Sequence, residues 1–194
     1  SRPPDPNIFG EDWRDEWLHR LKNIPLLADT WLLHQSRDEY WQHGSVCEDY
    51  GSIKAAVLAV GGWHDGYRNT ISKLVSNLEA PVKGIVGPWN HRYPHLAEPE
   101  PKIGFLQEAL RWWDKWLKNI DTGVENDPDY RIYVMNSVKP QRRLEFRSGN
   151  WQSFSKDMLK TMTIEELYLG DGKLGKNEKI SADFLELSSD TDVG

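Results

Sequence analysis

Residues 57–67 read Val57-Leu58-Ala59-Val60-Gly61-Gly62-Trp63-His64-Asp65-Gly66-Tyr67, and residues 84–91 read Gly84-Ile85-Val86-Gly87-Pro88-Trp89-Asn90-His91. Each is a short apolar run cut off by glycine or proline and followed by an aromatic and an ionisable residue. A buried strand delivers a side chain to the rim of a sheet in this way. Ile53 to Val60 is nearly continuous in apolar residues, the pattern of a strand covered on both faces, and Val82 to Val86 is a second such run. Between them Ile71, Leu74, Val75 and Leu78 recur at helical spacing over residues 67–78, and Pro81 ends the helix. Strand, helix and strand make a βαβ unit, whose right-handed crossover makes the two strands parallel. Asp65 and His91 then leave the same edge of the sheet, close enough for the carboxylate to accept a hydrogen bond from the imidazole.

In open α/β sheets reactive groups lie just beyond the carboxyl ends of the strands. An aspartate on one strand end and a histidine on the next is the order of the last two members of an α/β-hydrolase triad, Ser…Asp…His. The first member is missing, because no Gly-x-Ser-x-Gly elbow occurs anywhere in the chain. The chain therefore reads as the carboxyl-side part of an α/β-hydrolase core, with Asp65 as the acid, His91 as the base and the serine elsewhere. Cys47, the single cysteine, offers a thiol alternative, but a lone cysteine is more often a buried apolar filler. His64, His91 and His95 suggest a metal site only on paper. Zinc needs three or four convergent ligands, and His95 sits in a proline-flanked loop with no matching pair, so neither metal nor cofactor is expected.

Outward from this unit, residues 1–10 are rich in proline and polar groups and read as an extended entry. Trp13, Trp17, Leu18 and Leu21 then follow a helical period that Pro25 stops. Asp29 or Thr30 can cap a second helix through Trp31, Leu32 and His34, and a third begins near Ser36 or Asp38 and carries Tyr40 and Trp41. The spacing alone fits an ordinary helical subdomain as well as a cap. His19, His34 and His43 within it read as structural or exposed. Downstream, residues 104–120 form the strongest helix. Phe105, Ala109, Trp112 and Trp116 adjoin a second apolar row of Leu106, Leu110, Trp113 and Leu117, so the helix must pack against a sheet and something more. Residues 121–129 are polar and turn-rich and mark a domain boundary. Beyond it Tyr130–Met135, Leu144–Phe146 and Ile164–Leu169 read as antiparallel strands, the last followed by the turn signal Gly170-Asp171-Gly172. The expected divisions are thus a helical segment over 1–50, the α/β core over 51–122 and a partial β-sandwich over 123–194.

Four stretches together carry a resemblance. Trp31-Leu32-Leu33-His34-Gln35, Asp38-Glu39-Tyr40-Trp41, Gly62-Trp63-His64-Asp65-Gly66-Tyr67 and Gly87-Pro88-Trp89-Asn90-His91, in this order, resemble the cocaine-esterase-like acyl hydrolases and X-prolyl dipeptidyl peptidases, the CocE/NonD group. The resemblance runs over residues 10–170. It implies a helical cap before the aspartate strand, a closing helix at residues 104–120, and a jelly-roll domain after the core. It also implies Asp65 and His91 as the triad acid and base, and Tyr67 as an aromatic lining the acyl pocket. Trp63 and Trp89 flank the triad positions, where they either wedge the loops or border the substrate pocket.

The net charge of -6 and pI near 5.5 argue against a nucleic-acid surface, which needs a clustered basic face, and the short Arg142-Arg143 pair is no such cluster. No apolar run approaches the roughly 20 residues of a membrane-spanning helix, so neither nucleic acid nor membrane is an expected partner. The chain begins at Ser1 with no visible signal peptide, and localisation stays open between cytoplasm and secretion. Most of the ten tryptophans are expected in the core. Two functional classes remain. One is a serine hydrolase acting on small ester or peptide substrates by Ser-His-Asp acyl transfer, its serine supplied from outside these residues. The other is a non-catalytic fragment or interaction module that keeps the hydrolase surface. In either case the uncovered side of the sheet should drive dimerisation or association with the missing half of the core.

Overall fold

A computed structural model describes residues 2–170 and 173–176. The chain divides into two compact units, residues 1–53 and 54–194.

The first unit is helical. Asp5 caps α1 (Pro6–Phe9) by accepting from the Asn7 N–H at 2.9 Å. In α2 (Trp13–Asn23) the rings of Trp13 and Trp17 stack at 6.4 Å, and Glu16 pairs with Arg20 one turn on. Next comes α3 (Leu27–Leu33), which starts ahead of the expected cap, so Asp29 lies in its first turn with its carboxylate near the positive end of the helix dipole. The short α4 (Glu39–Gln42) is capped by Asp38, whose Oδ1 accepts from the Tyr40 N–H at 3.1 Å. The other carboxylate oxygen of Asp38 accepts from His34 Nδ1 at 2.6 Å, the His34 ring stacks on Tyr40 at 4.4 Å, and the Trp41 indole N–H donates to His34 O at 2.7 Å. Two separate sequence motifs thereby close into one knot, which assigns His34 a structural role. Cys47 is exposed, beside the Arg37 guanidinium, and is not the buried filler its rarity suggested.

The second unit is a mixed α/β layer built on a four-stranded sheet in the order β1-β2-β3-β4. The expected βαβ unit forms: β1 (Val57–Gly62), α5 (Arg68–Asn77) and β2 (Val82–Gly87), with the strands parallel from Val57↔Val82 to Gly62↔Gly87. β1 starts at Val57, four residues into its apolar run, after a single helical turn at Tyr50–Ser52 capped by Asp49. On one face Ile71 and Val75 of α5 are buried against the strands, so closely that a Cβ on Gly84 would lie 2.5 Å from Val75 Cγ2. On the other face Ile85, Trp89 and Ala97 form a core joined by Leu58, Val60 and Ile103. Each fully buried aliphatic side chain such as Leu78, Ile85 or Val86 contributes roughly 1.5–3 kcal/mol. β2 is buried almost throughout, whereas β1 is half-buried, because β1 stands at the edge of the sheet.

Helix α6 (Phe105–Lys118) ends on Asn119 in the left-handed conformation (φ 57°), whose N–H returns to Lys115 O. Ala109 and Trp112 are buried and Phe105 is half-buried, while Trp116 of the same row and Leu106, Leu110, Trp113 and Leu117 of the other are exposed, so one apolar row is covered in part and the other is bare. The Arg131 guanidinium clasps both carboxylate oxygens of Glu108 at 3.1 and 2.9 Å and ties α6 to β3 (Tyr130–Met135). By its sequence pattern this strand groups with antiparallel strands beyond a boundary at residue 122. It does pair antiparallel with β4 (Gly149–Phe154), but its other edge pairs parallel with β2 through Gly84↔Tyr130 to Val86↔Ile132, so one sheet runs across that point. Leu144–Phe146 is not a strand; Phe146 makes only a single bridge to Glu100. The strand actually opposite β3, with its Trp151 and Gln152, had too few apolar residues to announce itself.

After α7 (Lys156–Lys160), strands β5 (Tyr168–Gly170) and β6 (Lys173–Gly175) pair antiparallel as a separate ribbon. Their connecting Asp171-Gly172 turn and the acidic tail lie outside the described residues. Only two of the ten tryptophans, Trp89 and Trp112, are buried, which corrects the expectation that most form core. Among the described residues no helix is long and apolar enough to cross a membrane.

Candidate active site

β1 and β2 end side by side at Gly62 and Gly87, and the two turns that follow are sewn together. The Trp63 N–H donates to Gly87 O at 2.9 Å and the His64 N–H to Trp89 O at 3.0 Å. From the side chains, His64 Nδ1 donates to Pro88 O at 2.7 Å, the Trp63 indole to Tyr133 O at 2.7 Å, and the Trp89 indole to Pro101 O at 2.8 Å. Gly62 allows the turns to come this close, since a Cβ there would fall 2.0 Å from Trp89 O.

The two ionisable residues meet across this seam. Asp65 Oδ2 lies 2.7 Å from His91 Nδ1, and Asp65 Oδ1 accepts from the Tyr67 N–H at 2.8 Å in a local turn. Both carboxylate oxygens are therefore engaged. The Tyr67 N–H first, and then the His91 ring, hold the Asp65 carboxyl below its ordinary value of 3.8. The Asp65 side chain is 14 % exposed and that of His91 78 %. A carboxylate can only accept, so Nδ1 carries the proton and the Nε2 lone pair is left on the open side. The arrangement can take a proton at Nε2 while Asp65 stabilises the imidazolium that results.

Tyr67 is 73 % exposed, with its ring 6.1 Å from that of His91. Trp63 is half-buried and Trp89 is 1 % exposed, and both indoles are hydrogen-bonded to main-chain carbonyls, so they brace the turns. A groove of about 1000 Å³ opens beside Asp65 and His91 and runs along β1 to Phe105, Ala109, Trp112 and Trp113 of α6. Nothing in the sequence connects α6 with this groove. The available signal is the width of its apolar surface, two adjoining rows that do not say what they face. The histidines considered for a metal are committed separately, His64 to Pro88, His91 to Asp65 and His95 to a parallel stack on Phe105. Among the described residues no three His, Cys, Asp or Glu side chains converge. The hydroxyls of Ser45 and Ser72 are spent on the main-chain carbonyls of Trp41 and Asn69.

Residues 1–93, a stretch that includes both Asp65 and His91, match the family described as X-Pro dipeptidyl-peptidase (S15 family). The chain is 28% identical over 125 residues to the cocaine esterase of Rhodococcus sp., a match covering 58% of this chain and 21% of the esterase. It is also 28% identical over 107 residues to "Putative serine esterase Mb1866c" of Mycobacterium bovis, covering 52% of this chain and 16% of that protein. The matched region is thus a minor part of the length of either relative.

Proposed function

We propose that this chain, similar to the cocaine-esterase-like hydrolases and X-Pro dipeptidyl-peptidases, carries the acid and base of a Ser-His-Asp acyl-transfer site. Asp65 is the acid and His91 the base. The observation that carries the reading is the 2.7 Å Asp65–His91 contact, which fixes the protonated nitrogen and leaves Nε2 open. In the reaction, His91 Nε2 takes the proton of a serine hydroxyl as its oxygen attacks an ester or Xaa-Pro amide carbonyl. It then returns that proton to the leaving group, while Asp65 holds the ring and offsets its charge. The oxyanion donors, usually the largest electrostatic contribution, come with the serine from outside these residues. Tyr67 is the aromatic side chain that meets substrate beside the base.

The free edge of β1 supports this division of labour. Among the described residues no strand pairs with its outer side, and the adjoining groove and the bare row of α6 are apolar. An unpaired strand edge beside bare apolar surface calls for a partner, so this is where the serine-bearing part of the hydrolase core docks. The helical unit is assigned as the cap, and the strands that follow β3 as the beginning of the jelly-roll domain.

The test is labelling with a fluorophosphonate probe, on this chain and on the protein extended upstream. The extended protein should label on a Gly-x-Ser-x-Gly serine, and His91→Ala should abolish the labelling. Labelling of Ser36, Ser45 or Ser72 in this chain would overturn the reading. So would an extended protein that labels equally well without His91. No labelling in either protein would favour the interaction module.

A further inference from the structure

The seam between the two turns contains one donor that the backbone cannot supply. The ladder between β1 and β2 ends at Gly62↔Gly87, and the residue that follows β2 is Pro88, which has no N–H. The Pro88 carbonyl is engaged by a side chain instead of the backbone: His64 Nδ1 donates to Pro88 O at 2.7 Å, while the His64 backbone N–H donates to Trp89 O at 3.0 Å. His64 directly precedes Asp65, and Pro88 and Trp89 lie just ahead of His91. We propose that His64 is a positioning residue, a two-point tie that sets the distance between the turn bearing Asp65 and the turn bearing His91. The carbonyl cannot donate, so the neutral ring must carry its proton on Nδ1. The protonated ring keeps that same N–H, so the tie survives either charge state. An ion pair in this place would weaken as either partner titrated, whereas this bond holds throughout a catalytic cycle in which the neighbouring imidazole gains and loses a proton.

The positional claim stands on the chain alone; its catalytic consequence rests on the acyl-transfer reading above. Both parts are tested with His64→Phe, which keeps a ring but loses the donor, and His64→Asn, whose amide nitrogen takes the place of Nδ1. Long-range proton–nitrogen NMR correlations on the intact chain report which nitrogen of each imidazole is protonated. In the unaltered chain both His64 and His91 should carry the proton on Nδ1. In His64→Phe the Nδ1-protonated fraction of His91 should fall toward that of free imidazole, and in His64→Asn it should return. Should His64→Phe fail to fold, His64→Gln, which moves the donor outward to the Nε2 position, should show the same loss. An Nε2-protonated His64 in the unaltered chain would overturn the proposal. A variant that melts earlier but leaves the His91 tautomer unchanged would overturn it too, since that is a structural role only. In the serine-containing enzyme His64→Phe should lower kcat roughly tenfold at constant KM, in keeping with the sensitivity of such sites to small misplacements. Loss of the His91 tautomer with no change in kcat would leave the tie standing and strike the catalytic reading instead.

Discussion

Gly62→Ala puts the smallest possible side chain into the seam on which the candidate site depends. The new Cβ would lie 2.0 Å from Trp89 O and 2.6 Å from its carbonyl carbon, where real Cβ atoms essentially never come closer than 3.0 Å. Trp89 cannot simply retreat. Its side chain is 1 % exposed, its indole is bonded to Pro101 O, and the same carbonyl oxygen accepts from the His64 N–H. The two turns must therefore part by about 1 Å. Taken along the Asp65–His91 contact, that shift stretches 2.7 Å to about 3.7 Å, beyond hydrogen bonding. Overpacking of this kind costs about 1–3 kcal/mol, which for a chain of this size lowers Tm by roughly 2–12 °C. In the serine-containing enzyme a misplacement of about 1 Å should cut kcat on the order of 100-fold. Thermal unfolding followed by circular dichroism, and NMR of the His91 Nδ1 proton, read the two effects separately. A Gly62→Ala chain with unchanged Tm and an intact His91 Nδ1–H signal would refute the claim that close approach of the turns sets the dyad.

Three further outcomes are expected. The Asp65 carboxyl is held below 3.8 in the folded chain, so its contribution to stability is present above its unfolded value and lost as pH falls through the depressed folded value. Carbon-13 NMR titration should place its midpoint below 3.8, and Asp65→Asn should remove this group's share of the acid-induced loss of stability and reduce kcat of the completed enzyme by about 10³–10⁴. Lys83 donates to Glu125 O at 3.0 Å, to Asp127 O and to Asp129 Oδ1 at 3.0 Å, with its side chain only 12 % exposed. Burial alone would raise the Asp129 carboxyl, but the Lys156 N–H and the Lys83 ammonium outweigh it and hold it low. Lys83→Met should therefore cost about 1–3 kcal/mol in urea unfolding while leaving the His91 tautomer unchanged. Tyr67→Ala, at a residue 73 % exposed, should change stability by less than about 0.5 kcal/mol and, in the serine-containing protein of the proposed reading, raise KM for ester substrates several-fold in steady-state assays; an unchanged KM there would remove Tyr67 from the substrate surface.

What could be read from the sequence is what short-range periodicity encodes. The run Val57–Val60, the helical spacing of Ile71, Leu74, Val75 and Leu78, and the run Val82–Val86 give the βαβ unit. With it comes the placement of Asp65 and His91 at one sheet edge, because parallel strands joined by a helix must end on the same side. The motifs around Trp31, Tyr40, Asp65 and His91 pointed to the relatives for the same reason: they are local strings. Tertiary structure alone decided that Tyr130–Met135 lies parallel beside β2, that Gly149–Phe154 is its antiparallel partner, and that Trp89 and Trp112 are buried while eight other tryptophans are not. It also decided that His64 serves Pro88 and that Gly62 must lack a side chain. These depend on which surfaces meet across long stretches of chain. A hydrogen bond or a 2.0 Å approach between residues more than 20 positions apart leaves no period in the sequence, since period records only which side of its own element a residue faces.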